Sequence, residues 1–422
     1  MATRKLKIGL LGCGTVGSGL VELVHKNSSL IRDRAGVALT ISKILVRDPL
    51  KERAFAVDRN LLTTQPDKVI QNGCDMVVEL VGGIEPARGF IQRSLARGKH
   101  VVTANKALLA IDGFSLMKAA EIQKVRLGFE ASVCGGIPII RALRNGLVGN
   151  QIHSLTGILN GTCNYILTRM AEGRVEFEAA LAEAQAKGFA EADPTLDVDG
   201  HDAAQKLKIL AELAFNARIA SDAVDTTGIR DITSDDIQAA RELGYVIKHV
   251  AMAEVIGDGI ALKVAPMMLP LTHQLAGIRD ENNAVLVRGD AVGEMLFSGK
   301  GAGSLPSASA VLSDIVDIAC HKGGFASNPG NQLRSVRSSG EGRHYLRFPV
   351  ADPSAIGAIT NILERNGVGI ERAAAVWAKN PMTQSQVRIL THECGNDDLQ
   401  PAMHDIGQLE NARGKGMALR LS

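Results

Sequence analysis

The chain has 422 residues, 45% of them hydrophobic and only 3% aromatic, with a formal net charge of +2. That length allows roughly two to four domains with a sizeable core. The scarcity of aromatics and the lack of a basic run argue against a nucleic-acid partner. The six cysteines (Cys13, Cys74, Cys134, Cys163, Cys320 and Cys394) are scattered, with neither Cys-x-x-Cys pairs nor metal-ligand spacing. No apolar stretch reaches membrane-spanning length, so a cytoplasmic protein with free thiols and no membrane contact is expected.

Arg4, Lys5 and Lys7 precede the apolar run 8–13, which is too short for the hydrophobic part of a signal peptide. It has a better use. Residues 7–11 form an apolar strand that runs into Gly12-Cys13-Gly14-Thr15-Val16-Gly17, followed by helically spaced Val16, Leu20, Leu23 and Val24. Gly-x-Gly-x-x-Gly between a strand and a helix is the dinucleotide fingerprint. The first glycine makes the turn, the second admits the pyrophosphate, and the third lets helix and strand close up. The next strand, near 38–46, ends in Arg47 and Asp48, with Lys51 and Arg53 beyond. Arginine at this position accommodates a 2′-phosphate, whereas an acid holds a ribose hydroxyl. The order favours NADP and leaves NAD open.

Residues 75–83 form a buried-type strand ending in glycines, 87–97 an amphipathic helix, and 99–106 a strand ending in Thr103, Asn105 and Lys106. Such alternation predicts a Rossmann-type, doubly wound parallel sheet in an α/β fold, with ligands at the carboxyl ends of its strands. Thr103 and Lys106 are therefore candidate cofactor contacts. Residues 127–140 read as a strand followed by a Gly-Pro turn. Glu130 there, with free backbone carbonyls after it, is hard-cation chemistry, although a simple crossover would carry the same residues. Residues 157–165 place Asn160, Gly161 and Thr162 at a second rim.

The stretch 184–206 concentrates Glu191, Asp193, Asp197, Asp199 and Asp202 ahead of Lys206. Gly188, Pro194 and Gly200 break regular helix up to that point, and a helix is expected from Asp202 on. Asp202 and Lys206 then share a helical face. An acidic solvated loop with an ordinary surface ion pair would have the same spacing. Further on, 225–237 reads as a strand and a helix capped at Ser234. Residues 259–297 suit an antiparallel sheet able to form a subunit interface. A Gly-rich lead-in at 299–306, including Gly303, opens a helix through Cys320.

Taken together, the Gly-x-Gly-x-x-Gly start, Thr-Ala-Asn-Lys at 103–106, Glu-Ala-Ser-Val-x-Gly-Gly-Ile-Pro at 130–138, Leu-Asn-Gly-Thr at 159–162 and the whole of 184–206 resemble the homoserine dehydrogenase family over roughly residues 5–325. The resemblance implies NAD(P)-dependent interconversion of L-homoserine and L-aspartate 4-semialdehyde in threonine, methionine and isoleucine biosynthesis. It implies Lys206 as proton donor and acceptor, Lys106 as the second lysine, and Asp202, Glu191 and Asp197 as holders of substrate and of Lys206. Gly161 and Thr162 would line the substrate pocket, and Gly188 and Gly303 would lie against cofactor. Glu130 and the carbonyls of Val133, Gly135 and Ile137 would bind a monovalent cation, with sodium the expected ion. A homodimer or homotetramer is expected. Two lysines at the reacting oxygen would stabilise an alkoxide and move a proton, provided burial or a second cation lowers a lysine pKa. A related dehydrogenase of another amino or hydroxy acid, or a non-catalytic nucleotide-binding regulator, would share the N-terminal pattern; the regulator would need neither lysine.

Residues 323–341, rich in Gly, Ser and Asn, read as a linker. Beyond them, strand 344–350, helix 352–365, strands 368–376 and 384–391 and helix 398–409 give a βαββαβ pattern that resembles the ACT domain, a small-molecule regulatory module that implies an amino-acid effector such as threonine. The usual turn glycine is replaced: the turn reads Asp352-Pro-Ser-Ala355. The expected domains are 1–130 for the dinucleotide (with about 305–325 returning to it), a central α+β substrate and oligomerisation domain at 131–304, the linker, and 342–422.

Overall fold

The computed structural model describes residues 3–71, 73–220, 222–320, 333–338, 340–378 and 384–422. Strand β1 (Arg4–Leu11) leads into α1 (Thr15–Lys26) and α2 (Ser28–Ala35), then β2 (Val37–Leu45), β3 (Leu62–Thr63), α3 (Pro66–Ile70), β4 (Met76–Glu79), α4 (Ala87–Ala96), β5 (His100–Thr103), α5 (Lys106–Ile122) and β6 (Leu127–Gly128). These strands make a six-stranded parallel sheet in the order β3-β2-β1-β4-β5-β6. Continuous apolar runs such as Met76–Val78, all 0% exposed, suit strands covered by helices on both faces. The strand expected to begin at Leu127 is only two residues long; Glu130–Ser132 then forms a turn of 3-10 helix.

The middle of the chain runs through α6 (Ile139–Arg141), β7 (Ile152–Ile158), α7 (Gly161–Gly173), α8 (Phe177–Ala186), α9 (Thr195–Val198), α10 (His201–Ala214), β8 (Asp225–Thr226), α11 (Ser234–Glu242), β9 (Tyr245–Ile256), β10 (Gly259–Pro270), β11 (Asn282–Gly289) and β12 (Gly293–Lys300). The cap of α11 is Thr233, not Ser234: its hydroxyl accepts from Asp236 N–H while the Asp236 carboxylate accepts from Thr233 N–H. A capping box needs that three-residue offset. Helix α12 (Ser304–Cys320) returns to the first sheet. Its Ala308, Val311, Ile315 and Ile318 share a buried core with Leu10, Leu20 and Val78.

The C-terminal part comprises β13 (His344–Val350), α13 (Ile356–Arg365), β14 (Ile370–Val376), β15 (Ser385–Thr391), α14 (Asn396–Gly407) and β16 (Met417–Leu421), after a 3-10 turn at Pro353–Ala355. Its strands do not form a separate sheet. They extend the middle one, which runs β12-β11-β7-β9-β10-β16-β13-β15-β14, with β8 on β10. The join is parallel pairing of Arg420 and Leu421 with Met267 and Met268. Helices α13 and α14 cover one face of the added strands over Leu346, Ile359, Leu363 and Ile406. On the other face, Tyr345, Met417 and Leu419 share a core with Ile166, Ala239 and Ile247. Arg347 Nε lies 2.8 Å from the fully buried Asp236. Most of the expected linker, 323–332 and residue 339, lies outside the described residues. Its described part is an added edge: Ile260 N donates to Ser335 O and Arg337 N to Ile260 O.

Candidate active site

The glycine turn ends β1 with the backbone its sequence requires. Gly12 has φ +96°, and a Cβ there would lie 2.6 Å from the Leu80 carbonyl; at Gly17 a Cβ would lie 2.4 Å from the Gly12 carbonyl. Gly14 is different: its Cα faces open space, the approach a pyrophosphate would use. Cys13 is buried, and burial pushes its thiol up. Val16 packs beneath the turn, and the Thr15 carbonyl accepts from Ser304 Oγ at 2.7 Å. That bond seats Gly303 (φ +125°) and the start of α12 beside the fingerprint.

Arg47 is exposed just beyond β2. Arg53, which sequence spacing alone did not select, folds back instead, donating to the carbonyls of Lys51 (2.6 Å) and Asp48 (2.9 Å). Thr103 is fully buried at the end of β5, and its hydroxyl donates to Glu79 at 2.6 Å. Glu79 also accepts from Val81 and Gly82 N–H. Thr103 thus fixes the rim with its side chain, and Glu79 is a second organiser that a buried-strand pattern conceals.

Lys106 begins α5, capped by Asn105, which accepts from Leu108 N–H. Its Nζ lies 3.1 Å from Asp202 Oδ1, while Lys206 Nζ lies 2.7 Å from Asp202 Oδ2. One carboxylate bridges both lysines. The spacing of Asp202 and Lys206 on α10 makes the second contact local; the first joins α5 to α10 across the two sheets. Lys206 also donates to the Leu159 carbonyl at 2.8 Å, and Asn283 donates to the same oxygen at 2.8 Å. Asn160 caps α7 and bridges Asp197 (2.7 Å) and Asp202 (2.8 Å) through its amide nitrogen. Thr162 donates to the Phe189 carbonyl at 2.7 Å and lies 3.3 Å from Asp197. Gly161 must be small, because a Cβ would lie 2.5 Å from the Glu281 carbonyl.

Between Gly188 and Gly200 the chain is not wholly irregular, since Pro194 starts the one-turn helix α9 that aims Asp197 inward. Asp193 accepts from Thr195 N–H and Asp199 pairs with Arg230, so both shape the loop. Glu191 is exposed and its backbone carbonyl accepts from Gln185 Nε2 at 3.0 Å, and Gly188 (φ +75°) faces open space at the end of α8.

The charges in this cluster are strongly coupled. Burial raises the Asp202 carboxyl, but Lys206 and Lys106 outweigh it and hold the group down at about 2. For Asp197, burial prevails, with Asp202 adding to it, and its carboxyl is raised. Burial is the largest single influence and lowers the Lys206 ammonium, yet the acidic neighbours, Asp202 first and Asp197 among them, together outweigh it and its pKa is raised. The expectation that burial or a neighbouring cation would lower it fails because the anion sits between the two cations. With Lys206 only 11% exposed at its side chain and Lys106 40%, Lys206 is the deep group and Lys106 the more accessible one.

The Glu130 loop lies against this cluster. Cys134, at φ +51°, accepts from Asn283 Nδ2 at 3.4 Å and feels the charge of Lys206. The buried Glu130 carboxylate accepts from the N–H groups of Ile140 and Arg141, both at 2.8 Å, at the start of α6. The Ile137 carbonyl accepts from Ile139 N–H at 2.8 Å, whereas those of Val133 and Gly135 accept no backbone N–H among the described residues. One carboxylate with carbonyl oxygens is a hard, weakly charged donor set. No cluster of three or more His, Cys, Asp or Glu side chains able to hold a metal occurs among the described residues.

A dinucleotide turn on a parallel sheet, with a lysine just beyond β5 of that sheet sharing one carboxylate with a second lysine, fits an NAD(P)-dependent oxidoreductase acting on a CH–OH group. Comparison with known proteins agrees. Residues 12–130 match the model for "Homoserine dehydrogenase, NAD binding domain" and residues 138–316 that for "Homoserine dehydrogenase". The homoserine dehydrogenase of Bacillus subtilis is 38% identical over 415 residues, 96% of each chain. A solved homoserine dehydrogenase from Thiobacillus denitrificans superposes with a TM-score of 0.89 at 38% identity, covering 99% of this chain and 98% of that one. A hyperthermophilic archaeal homoserine dehydrogenase solved in complex with NADPH gives a TM-score of 0.64 at 25% identity, over 76% of this chain and all of its own. The chain belongs to the homoserine dehydrogenase family. No helix among the described residues is long and apolar enough to cross a membrane.

Proposed function

We propose that Lys206 is the proton donor and acceptor at the side-chain oxygen of L-homoserine and L-aspartate 4-semialdehyde, with Lys106 as the second cation at that oxygen. The Asp202 bridge, 2.7 Å from one ammonium and 3.1 Å from the other, carries this reading. It holds both ammonium groups at one place, and positive charge there is what a developing alkoxide needs. When bound, the nicotinamide supplies or takes the hydride. The chain's own residues do the rest. Lys206 gives its proton to the oxygen as the aldehyde is reduced and recovers it in the reverse direction. Asp197 and Glu191 meet the substrate ammonium. Gly161 and Thr162 form the pocket wall, and Asn160 holds Asp197 to Asp202. The cofactor lies along Gly12, Cys13, Gly14, Thr15, Val16 and Gly17, with Thr103, Gly188 and Gly303 around it.

NADP is the expected cofactor, through Arg47. Because Arg47 is exposed, Arg47→Ala should leave stability alone and lower the NADP:NAD ratio of kcat/KM by about tenfold, the loss of one charge-assisted contact. A ratio unchanged in the variant would remove Arg47 from the cofactor site. A sodium ion at Glu130 and the carbonyls of Val133, Gly135 and Ile137 would stiffen the loop that carries Cys134 against Lys206. Replacing sodium with tetramethylammonium should then raise the homoserine KM about tenfold, and Glu130→Gln should abolish the difference. Equal kinetics in both salts would reject this cation site.

The domain boundaries 1–130 with 305–325, 131–304 and 342–422 complete the reading, together with a cytoplasmic homodimer or homotetramer in threonine, methionine and isoleucine biosynthesis. The four C-terminal strands lie in the order β16-β13-β15-β14 with two helices on one face, and this supports an ACT-like module. The central test is homoserine oxidation with either dinucleotide; no turnover would reject the assigned reaction.

A further inference from the structure

Helix α10 covers one face of the long sheet. Val287, Leu155 and Ala253 lie side by side across β11, β7 and β9, and Val285, Gly157 and Ala251 form the next row of the same face. Their apolar side chains share a core with Ala203, Leu207 and Leu210 of α10. Same-face positions of a strand are two residues apart, so the next residue of β11 on this apolar face is Asn283. It is buried, at 1% exposed. A polar side chain in such a place needs partners. Asn283 Nδ2 donates to the Leu159 carbonyl at 2.8 Å and to Cys134 Sγ at 3.4 Å, but its Oδ1 has no hydrogen-bond partner among the described residues.

The amide is held in this arrangement. Turning it over would set Oδ1 against the Leu159 carbonyl, two acceptors face to face. Nor can it move aside. A Cβ on Gly301 would lie 2.2 Å from Asn283 Oδ1, and one on Gly161 would lie 3.4 Å from it, so these two glycines leave the room that the amide fills. The donor therefore stays on Leu159. That carbonyl has a second donor, Lys206 Nζ at 2.8 Å, and the same ammonium donates to Asp202 Oδ2 at 2.7 Å. An ammonium has three N–H groups. With two of them fixed, tetrahedral geometry sets the direction of the third. Once Lys206 has given up that third proton, the same two bonds keep its lone pair on the line along which the proton left. Each anchor has a keeper: Asn160 holds Asp202 at 2.8 Å, and Asn283 holds the Leu159 carbonyl.

We propose that Asn283 is a positioning residue for proton transfer: clamped between Gly161 and Gly301, it fixes the Leu159 carbonyl and so aims the proton of Lys206 at the reacting oxygen. The amide accepts one unmet buried acceptor, Oδ1, in return for that fixed donor. This inference rests on the role proposed for Lys206.

The test compares four full-length proteins: wild type, Asn283→Leu, Lys206→Met and the double variant. Each is read by homoserine oxidation kinetics, a melting curve and the solvent deuterium isotope effect on kcat. Asn283→Leu keeps the shape and removes the donor together with the unmet acceptor, so the thermal midpoint should stay near that of wild type. Its kcat should fall by about 10- to 100-fold, the scale of a small misplacement of a reacting group. The dinucleotide KM should hold, and the solvent isotope effect should grow, because proton delivery is the step that slows. On the Lys206→Met background the same substitution should cost nothing further, since it acts through the lysine. Asn283→Asp, of the same shape, decides the matter if the leucine variant does not fold. It sets an anion beside the shared carbonyl, so kcat should fall and the pH limb governed by Lys206 should move to higher pH. Wild-type kcat in Asn283→Leu, an equal loss on both backgrounds, or wild-type kcat with an unmoved limb in Asn283→Asp would overturn the positioning role. Turnover of Lys206→Met within tenfold of wild type would instead overturn the catalytic reading beneath it.

Discussion

Lys206→Met is expected to lower kcat for homoserine oxidation by about 10³-fold, the scale at which a positioned acid–base group and its charge act together. The KM for the dinucleotide should change little, because Lys206 lies in the Asp202–Leu159–Asn160 cluster and not at the glycine turn. The variant should still fold. Removing one member of a buried pair is costly when it strands the other charge, but Asp202 retains Lys106 at 3.1 Å and Asn160 at 2.8 Å. Steady-state kinetics with a circular dichroism spectrum and a melting curve on the same sample separate the effects. Turnover within tenfold of wild type in a folded variant would remove Lys206 from the chemistry.

Asp202→Asn should cost about 10²-fold in kcat, since a misplacement of about 1 Å at a reacting group is enough for that loss, and it should also move the pH profile. In the wild type Asp202 holds the Lys206 pKa up against burial. Without that anion, burial and the nearby Lys106 charge both favour a neutral Lys206, so the pH limb governed by Lys206 should shift to lower pH in the variant. A limb at the wild-type pH would show that another group is being titrated.

The same substitution has a signature in stability. Asp202 is depressed to about 2 in the fold from an ordinary 3.8. A carboxyl with a depressed folded-state value stabilises the fold above its unfolded value and loses that contribution as pH falls through the folded one. The wild type should lose about 2 kcal/mol between roughly pH 4 and pH 2 from this group, and Asp202→Asn should lack that step. Lys206 has the opposite sign: its raised value gives stability that is complete below the ordinary lysine range and disappears as pH rises through the folded value.

Much of the fold follows from local pattern. The glycine turn, the parallel strands around it and the βαββαβ order of the C-terminal part are local, because glycine geometry, apolar runs and strand–helix alternation act over a few residues. Element ends were less legible. The α11 cap moved to Thr233 because the capping box needs Asp236 three residues on, and the strand at Leu127 shortened where Glu130 turns its carboxylate to α6. Asn283 and Glu79 carried no signal of their own; each matters through a partner more than twenty positions away, Leu159 for one and Thr103 for the other.

By itself the sequence determined that a dinucleotide fold precedes an acidic stretch ending in lysine, and that Asp202 and Lys206 share a helical face, since four residues make about one turn. Only the tertiary structure decided that Lys106, at the far end of another helix, would share the same carboxylate. That contact sets two cations on one buried anion, and its strength depends on separation in space and on the exclusion of water, neither of which is written in the spacing of residues along the chain. The docking of the C-terminal strands has the same origin. Arg420 and Leu421 pair with Met267 and Met268 through backbone groups that every residue possesses, so no side-chain pattern could announce that the last strand would join the sheet carrying the active site.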